Sequence, residues 1–265
     1  RTTGLPNADY VNTILAWPNT ASADSFGGVS TAEDECITAY YRTEGTGVRH
    51  VSIDKNNDVW VSGTGNREFE LVDGSLASQI SSFQANCGAY GGVVDPDGIV
   101  WSANWGFGNL LRYDPVANTQ QCLPIPNYGM GIDAECTTSQ TQFSVWTDVV
   151  GNNLAYEVSP AGVQLNSYNH GSSATARGVV VKNGSVYVAH SSSNTVGRLT
   201  TSGTYLGNIV MNETANGVTG NRPHGVAADT NGKIWAVNNS TSNAMRIDPN
   251  LGAFGQVDLA VDLGS

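Results

Sequence analysis

Short apolar segments recur in pairs along the chain, and a compact polar turn joins the two members of each pair. Four pairs can be aligned: "VRHVSIDKNNDVWVSG" from Val48, "AYGGVVDPDGIVWSAN" from Ala89, "ARGVVVKNGSVYVAH" from Ala176 and "PHGVAADTNGKIWAVNN" from Pro223. The turns DKNND, DPDG, KNG and DTNG are strong hairpin signals, because Asn, Asp and Gly tolerate the backbone angles of tight turns. The pattern therefore predicts a series of antiparallel hairpins.

An aromatic residue stands near the start of the second segment of every pair. These residues, with one more in "FSVWTD", are Trp60, Trp101, Trp146, Tyr187 and Trp235, at spacings of 41, 45, 41 and 48 residues. A third segment that opens with Asn follows each aromatic residue, and a weaker fourth segment precedes the next unit. Four short antiparallel strands at this period are typical of a β-propeller. We expect the aromatic side chains to pack between neighbouring blades.

The repeat predicts an all-β fold, namely a six-bladed β-propeller of four-stranded antiparallel blades that forms a single domain over residues 1–265. The expected blades are residues 11–45, 48–84, 89–125, 128–170, 176–212 and 223–265. The first blade is degenerate, so we expect the ring to be closed by pairing of strands from the two chain ends. One blade cannot bury both of its faces alone, and stacking around an axis supplies the core.

Composition and charge narrow the range of partners. Only 13% of the residues are charged, and the net charge is −11. An acidic surface repels phosphate backbones, so we predict no nucleic-acid partner. No segment approaches 18 consecutive apolar residues, so no membrane span is predicted. The expected partners are a small molecule, a glycan or a protein.

The four cysteines are Cys36, Cys87, Cys122 and Cys136, and no CxxC pair is present. An even number in a lysine-poor chain favours two disulfides and an oxidising compartment, so the expected location is secreted, periplasmic or cell-surface. We predict a Cys122–Cys136 bridge, because adjacent blades can bring these residues within about 5–6 Å between Cα atoms. A Cys36–Cys87 bridge then follows by elimination.

In an up-and-down blade the start of the first strand and the end of the second lie at one end of the propeller, which is called the mouth below. Polar and aromatic side chains that converge there are the candidates for ligand binding. The candidate ligand-binding residues are Arg49, His50, Tyr90, Asn104, Trp105, Tyr128, Asp148, Arg177, Arg222 and Asn238, and the candidate catalytic residues are His190 and His224. The alternative is that each is an ordinary loop residue that satisfies a strand end.

Aspartate-rich turns are expected at the opposite end of the propeller. The turns DPDG and DKNND bring oxygen atoms close together, as a Ca²⁺ site requires, but they lack the glutamate and the spacing of a calcium loop. Aspartate side chains that accept hydrogen bonds from the backbone of their own turn explain these sequences better. We therefore expect Asx turns there.

The stretch "RPHGVAADTNGKIWAVNN…NAMRIDP" resembles the streptogramin B lyase (virginiamycin B lyase) family and NHL-type propellers. At the level of the repeat the resemblance covers residues 48–260. The lyase resemblance implies Mg²⁺ at the mouth and a His/Glu constellation that opens a cyclic depsipeptide by elimination. His224 matches a family histidine, whereas Arg222 and Asn238 stand where the family has acids. Asn cannot serve as a general base, and a guanidinium repels Mg²⁺.

Three hypotheses for function follow. The first is an extracellular or surface-exposed propeller that binds a glycan, a peptide or a protein at its mouth. The second is a divalent-metal-dependent C–O lyase with an altered active site, in which His190 and His224 act with Mg²⁺ or Ca²⁺. The third is a structural module of a larger surface protein.

Overall fold

The computed structural model describes residues 39–104, 108–127, 132–136, 143–172, 175–211, 214–215 and 217–263. Within these residues, 22 β-strands form five four-stranded antiparallel sheets and one two-stranded ribbon. In every four-stranded sheet the spatial order of the strands follows their order in the chain. Each sheet is therefore a blade built from consecutive hairpins.

The first three blades have short strands of four to six residues. Blade 1 consists of β1 (Val48–Ile53), β2 (Val59–Gly63), β3 (Glu68–Val72) and β4 (Gln79–Gln84). Blade 2 consists of β5 (Gly91–Val94), β6 (Val100–Ala103), β7 (Leu110–Asp114) and β8 (Thr119–Leu123). Blade 3 consists of β9 (Ile132–Cys136), β10 (Phe143–Asp148), β11 (Leu154–Val158) and β12 (Gln164–Asn169).

Two further blades complete the set. Blade 4 consists of β13 (Ala176–Lys182), β14 (Ser185–His190), β15 (Thr195–Thr200) and β16 (Tyr205–Val210). The ribbon of β17 (Thr214–Ala215) and β18 (Val218–Thr219) leads to blade 5, which consists of β19 (Pro223–Ala228), β20 (Ile234–Asn238), β21 (Asn243–Asp248) and β22 (Gln256–Asp262). The first strands contact one another in the sequence β1, β5, β9, β13 and β19 and form the inner wall.

The prediction of a β-propeller with four-stranded antiparallel blades is confirmed, but the described residues form five blades and not six. Most of the predicted first blade, residues 11–38, lies outside the described residues. Residues 39–47 contain no strand, and the carboxylate of Glu70 holds them against blade 1 by accepting hydrogen bonds from Thr43 Oγ1 and from the N–H groups of Glu44 and Gly45. This segment is therefore bound to blade 1 through the Glu70 side chain and does not add a strand to the sheet.

The predicted pairing of the two chain ends is not found among the described residues. The C-terminal segment forms β22, which pairs with β21 from Asn243↔Asp262 to Asp248↔Gln256. It is the outermost strand of blade 5 in the order β19, β20, β21, β22, and its residues Val257 and Ala260 belong to the core between blades 4 and 5. This local hairpin pairing satisfies the segment without the other chain end.

The hydrophobic core is divided among the interfaces between consecutive blades. One cluster joins Trp60 of blade 1 to Tyr113 of blade 2, whose rings lie 6.0 Å apart in an edge-to-face arrangement. The other clusters place Trp101 against blade 3, Trp146 against blade 4 and Tyr187 against blade 5. An aromatic side chain of this size buries roughly 150–250 Å², which corresponds to about 4–6 kcal/mol of transfer free energy. Each blade is thus stabilised by the blade that follows it.

Trp235 of blade 5 departs from this pattern for the same physical reason. The aromatic residues of blades 1 to 4 are at most 2% exposed, whereas Trp235 is only half-buried. In the part of the chain that the structure describes, no blade follows blade 5. The guanidinium of Arg246 lies 5.9 Å from the centroid of the Trp235 ring, and the indole N–H donates to Asp229 at 3.3 Å. Arginines lie over Trp101 and Tyr187 in the same way, so the difference in exposure comes from the neighbouring blade.

The aspartate-rich turns form the Asx turns that the sequence predicts. Oδ1 of Asp54, Asp95 and Asp229 accepts hydrogen bonds from the backbone N–H groups two and four residues later, at 2.8–3.0 Å. Oδ2 of Asp95 also accepts the indole N–H of Trp101 at 2.7 Å. The Oδ1 atoms of these aspartates are thus accounted for by N–H donors of their own turns.

The disulfide differs from both predicted pairs. Cys87 is bonded to Cys122, with a Cα–Cα distance of 6.0 Å. Cys87 lies in the connection from β4 to β5, and Cys122 lies on β8, the outer strand of blade 2. The connection passes the mouth end of β8 on its way to the inner wall, which brings the two residues together. The predicted Cys122–Cys136 and Cys36–Cys87 bridges are wrong because they neglected this crossing.

Among the residues that the structure describes, no helix is long and apolar enough to cross a lipid bilayer.

Loss of the disulfide should lower stability without changing the fold. The bridge closes a loop with a sequence separation of 35 residues, for which the chain-entropy relation gives about 3–4 kcal/mol. We expect a Cys87→Ser/Cys122→Ser double variant to lose that amount in urea unfolding. Peptide mapping without reductant should join the peptides that carry Cys87 and Cys122, and a Cys122–Cys136 peptide would contradict the structure.

Candidate functional site

A cavity of about 430 Å³ opens at the mouth, over the inner wall. Its lining comes from four blades and consists of Arg49, Tyr90, Arg177, His224, Val237, Asn238 and Asn239. This set is called the mouth cavity below. Five of these residues are candidates that the sequence placed at the mouth: Arg49, Tyr90, Arg177, His224 and Asn238. The structure therefore brings together residues that are up to 189 positions apart in the chain.

Irregularities in the strand ladder present the charged residues to the cavity. The register of β1 with β2 shifts between Val48 and His50, so that Arg49 has no partner in the ladder. The same shift occurs at the start of β13, where it takes in Arg177, and at the start of β19, where it takes in His224. A β-bulge redirects a side chain at the end of a strand. Three blades thus use one device to turn a basic or imidazole side chain toward the axis.

The electrostatics of the mouth cavity are dominated by cations. The guanidinium of Arg49 lies 5.5 Å from the centroid of the Tyr90 ring. Burial lowers the pKa of His224, and the positive charges of Arg177 and Arg222 lower it further, against a hydrogen bond to the backbone that raises it. His224 is therefore mostly neutral at pH 7. No acidic side chain is among the described residues that line the cavity.

The imidazole of His224 is held in one orientation. Its Nδ1 lies 3.2 Å from the carbonyl oxygen of Arg222, which can only accept, so Nδ1 carries the proton. Ser191 Oγ lies 3.4 Å from the same nitrogen. Arg222 itself is exposed and has a left-handed backbone with φ 59°. The arrangement leaves Nε2 as the unprotonated ring nitrogen.

Asp148 lies close to the arginine side of the mouth but inside the protein. The residue is fully buried, and neither carboxylate oxygen accepts a hydrogen bond from the described residues. Burial raises its pKa to about 8, and the positive charge of Arg177 opposes this increase. At neutral pH the carboxyl group is therefore mostly protonated.

Two histidines that the sequence placed at the mouth are buried in the protein. His50 is fully buried; its Nε2 lies 2.8 Å from Ser52 Oγ, and its ring packs edge-on against Phe69 at 5.3 Å. Burial lowers its pKa to about 4. His50 therefore supports the wall between blades 1 and 2 and does not line the cavity.

His190 is likewise buried away from the mouth cavity. Its Nε2 lies 2.8 Å from Nδ1 of His170, and its Nδ1 lies 3.0 Å from Thr195 Oγ1. Burial, with a smaller contribution from His170, lowers the pKa of His190 to about 3, and burial lowers that of His170 to about 4. The pair connects the end of β12 in blade 3 to the end of β14 in blade 4, so in this structure His190 is out of reach of a ligand.

The remaining candidates are not part of the cavity lining. Asn104 is half-buried, and its N–H donates to Asn127 Oδ1 at 2.7 Å. Arg222 acts on the site through its charge and its carbonyl group. Trp105 and Tyr128 lie outside the described residues. Sequence reasoning missed Val237 and Asn239 because it took one position per strand end, whereas both neighbours of Asn238 also reach the cavity.

The residues at the mouth do not fit a divalent cation. Within the described ranges, no group of three His, Cys, Asp or Glu side chains is close enough to hold a metal ion. Mg²⁺ and Ca²⁺ prefer carboxylate, carbonyl and water oxygens. The described lining of the mouth cavity instead presents two guanidinium groups, which repel cations, and the carboxyl group of Asp148, which lies near Arg177, is buried. The Mg²⁺ or Ca²⁺ expected from the sequence therefore has no described ligand set here.

The blades, the inner wall and the cavity over the axis define the protein as a β-propeller of the up-and-down type. Among solved structures, its fold resembles the streptogramin B lyases. Virginiamycin B lyase from Staphylococcus aureus is 14% identical, with 83% of this chain and 71% of that chain covered and a TM-score of 0.67. A streptogramin B lyase is 14% identical, with coverages of 84% and 71% and a TM-score of 0.68.

A third solved structure is a functionally unknown protein from Desulfotomaculum acetoxidans, which is 14% identical, with coverages of 83% and 71% and a TM-score of 0.64. Neither a family model nor a curated protein matches the chain. At these identities the likeness shows the fold alone. The resemblance to streptogramin B lyases expected from the repeat is thus confirmed as a resemblance of fold.

The buried ionisable groups should give the protein a stability maximum near pH 6.5. Below pH 6.5 the unfolded chain binds protons at His50, His170 and His190 that the folded protein excludes down to about pH 4, so acid destabilises. Between about pH 4 and pH 8 the folded protein retains a proton on Asp148 that the unfolded chain releases, so rising pH destabilises by about 1.4 kcal/mol per unit.

The three histidines together outweigh Asp148 on the acid side, and Asp148 dominates above about pH 7, where the histidines of the unfolded chain are mostly neutral as well. Urea unfolding at pH 5, 6.5 and 8 measures both limbs. The Asp148→Asn variant should flatten the alkaline limb and steepen the acid limb by about one proton, whereas His190→Gln should reduce the acid slope by about one proton. A free energy of unfolding that keeps rising from pH 6.5 to pH 8 in the parent protein would contradict the assignment to Asp148.

Proposed function

We propose that this protein is a binding propeller, which holds a ligand or partner in its mouth cavity. The observation that carries the proposal is the convergence of polar side chains from four blades on one cavity of about 430 Å³, a volume typical of small-molecule sites. Bulges interrupt the ladder at the starts of three strands. Their shared effect is to present Arg49, Arg177 and His224 to the axis.

A metal-dependent lyase is the second candidate, since the fold resembles streptogramin B lyases and His224 has an unprotonated nitrogen in the cavity. Removing a proton from a substrate requires a base together with a group that stabilises the developing charge. The described residues offer His224 as a base but no ligand set for a metal ion. Binding is therefore better supported than elimination.

We further propose that the protein works in an oxidising compartment, outside the cytosol or at the cell surface. The Cys87–Cys122 bridge supports this location, because disulfides persist in secreted proteins and are reduced in the cytosol. Its position is structural: Cys87 is buried in the core between blades 1 and 2. A glycan, a peptide or a protein that is available in such a compartment is the expected partner.

Binding at the mouth can be tested with ¹⁵N-labelled protein and a panel of mono- and disaccharides and N-acetylated amino acids. We expect at least one compound to shift the backbone amide signals of Tyr90, Arg177 and Asn239, while those of the Asp54–Asp58 turn at the opposite end stay unchanged. Shifts confined to the opposite end, or no shifts with any compound, would contradict the proposal.

Two matched variants make this test specific. Asn239 and Asn231 are exposed asparagines at opposite ends of blade 5. Asn239→Trp should fill the cavity and reduce binding at least tenfold, whereas Asn231→Trp should leave binding unchanged. Equal losses in both variants would indicate a general effect on blade 5 and not a site at the mouth.

Divalent cations should not stabilise the protein. A ligand of the folded state raises the melting temperature, but the charge of Arg49 and Arg177 opposes cation binding at the mouth. We expect Tm to shift by less than 1 °C, about the reproducibility of such a scan, when 5 mM MgCl₂, CaCl₂ or EDTA is added. An increase of several degrees with Mg²⁺, reversed by EDTA, would favour the lyase over the binding propeller.

A further inference from the structure

We propose that the open faces of blades 1 and 5 form a docking surface for residues 1–38 of this chain. The open face is the face turned away from blade 2 in blade 1 and the face turned away from blade 4 in blade 5. The inference goes beyond the mouth cavity and concerns the surface between the first and last described blades. Its basis is the burial of equivalent residues, a repeated arginine joint and the course of residues 39–47.

The open face of blade 1 carries apolar residues that are buried in an equivalent blade. Val51 and Ile53 of β1 are each 62% exposed. The strand registers place them at the positions of Val179 and Val181 in blade 4, which are 3% and 4% exposed because they pack against blade 3. Burial of apolar surface is the main favourable contribution to such packing. Blade 1 is therefore built with a face that suits a preceding neighbour.

The open face of blade 5 shows the same contrast. Val237 is 47% exposed, whereas Ala189 at the equivalent position of blade 4 is fully buried. Trp235 is half-buried, whereas its equivalent Tyr187 is 1% exposed. Val261 lies in the same cross-strand row as Val237 and is 39% exposed. Two apolar faces thus lack a covering partner among the described residues.

An arginine beside the interface aromatic residue indicates which group completes a joint between blades. In three blades this arginine is the cross-strand partner of the aromatic residue, and its guanidinium lies 5.4–5.9 Å from the ring centroid. The pairs are Arg112 with Trp101, Arg198 with Tyr187 and Arg246 with Trp235. Arg112 donates to the carbonyl oxygen of Pro160 in the next blade at 2.9 Å. Arg198 donates in the same way to Pro249 at 2.8 Å.

The third arginine has the same setting without a following blade in the described part of the chain. Arg246 binds both carboxylate oxygens of Asp258 in its own blade at 3.0 Å. By analogy with the two complete joints, the group that fits beside Arg246 and Trp235 is a main-chain carbonyl flanked by apolar side chains. A polypeptide segment has this chemistry, and a small polar ligand does not.

The course of residues 39–47 identifies the segment. Glu70, which holds residues 43–45, is the cross-strand partner of Val61. Both side chains lie on the open face of blade 1, because each follows a residue that packs toward blade 2. The Tyr41 hydroxyl donates to Gln79 Oε1 on the outer strand β4 at 3.1 Å. The chain thus reaches β1 by crossing the open face, and residues 1–38 lead directly to it.

Length and tethering favour this segment over a separate molecule. Blade 2 occupies only residues 91–123 from the start of β5 to the end of β8, so residues 1–38 are long enough to cover a face of the same size. A segment joined to its docking surface by a short connection has an effective concentration in the millimolar range. A second copy of the chain or another protein would have to compete with it.

Photo-cross-linking in the full chain tests the inference. Val51 is replaced by p-benzoylphenylalanine in an equal mixture of ¹⁴N- and ¹⁵N-labelled protein, and cross-linked peptides are identified by mass spectrometry. We expect the peptide that carries position 51 to be joined to a peptide from residues 1–38 with the same isotope label. Cross-links only between differently labelled chains, only to other residues, or to none would overturn the inference.

A matched position shows whether the cross-links are specific. Val116 is 94% exposed in the turn between β7 and β8 of blade 2, away from both open faces. We expect the same photoreactive residue at position 116 to give no cross-link to residues 1–38. Equal yields from positions 51 and 116 would show random contact and overturn the inference.

Hydrogen exchange in the full chain is a second measurement that does not depend on the bulky photoreactive group. We expect the amides of residues 1–38 to be protected in the parent protein. Val51→Asp places a charge on the docking surface and should accelerate their exchange by about tenfold or more, because protection reports the free energy of local opening. Val116→Asp should leave the exchange unchanged. Unprotected amides in the parent, or equal effects of the two variants, would overturn the inference. Neither experiment uses a ligand, so their outcome does not bear on the proposed function.

Discussion

The structure depends on burial between blades, because a four-stranded sheet of short strands has two faces and cannot cover either by itself. Each of the first four blades inserts one large aromatic residue into the next blade, where at most 2% of its surface remains exposed. Trp235, which has no following blade in the described part of the chain, remains half-buried. The exposure of this aromatic position is thus determined by the neighbouring blade and not by the sheet to which the residue belongs.

This packing also determines where the site can form. Strands β1, β5, β9, β13 and β19 line the axis, so residues at the mouth ends of these strands and of the strands paired with them can reach a shared cavity. In a regular strand ladder, alternate side chains would point into the interfaces between blades. The bulges at Arg49, Arg177 and His224 interrupt the ladder at the mouth end of these strands. The site is therefore built from departures from the regular strand, placed in equivalent positions of three blades.

The sequence predicts those features that depend on neighbours in the chain. Asx turns follow from the spacing of Asp95 and the N–H groups beyond it, and the hairpins follow from the alternation of apolar residues. The predicted disulfide pairs were wrong, because they depend on how distant segments cross. The described residues form five blades and not six, and most of the expected first blade lies outside them. His50 and His190 were expected at the mouth because strand position predicts the end of the sheet but not whether a side chain faces the axis or the neighbouring blade.

The hydrogen bond from the indole of Trp101 to the carboxylate of Asp95 connects the tight turn of blade 2 to the core at the end opposite the mouth. Stability and the proposed recognition of a ligand consequently fall on different residues: the former on turns and interface aromatics, the latter on side chains that have left the ladder. Substitutions at the bulges can alter chemical specificity while the scaffold persists. Such a division lets one architecture serve unrelated chemistries, which accords with a shared fold at only 14% identity to an enzyme.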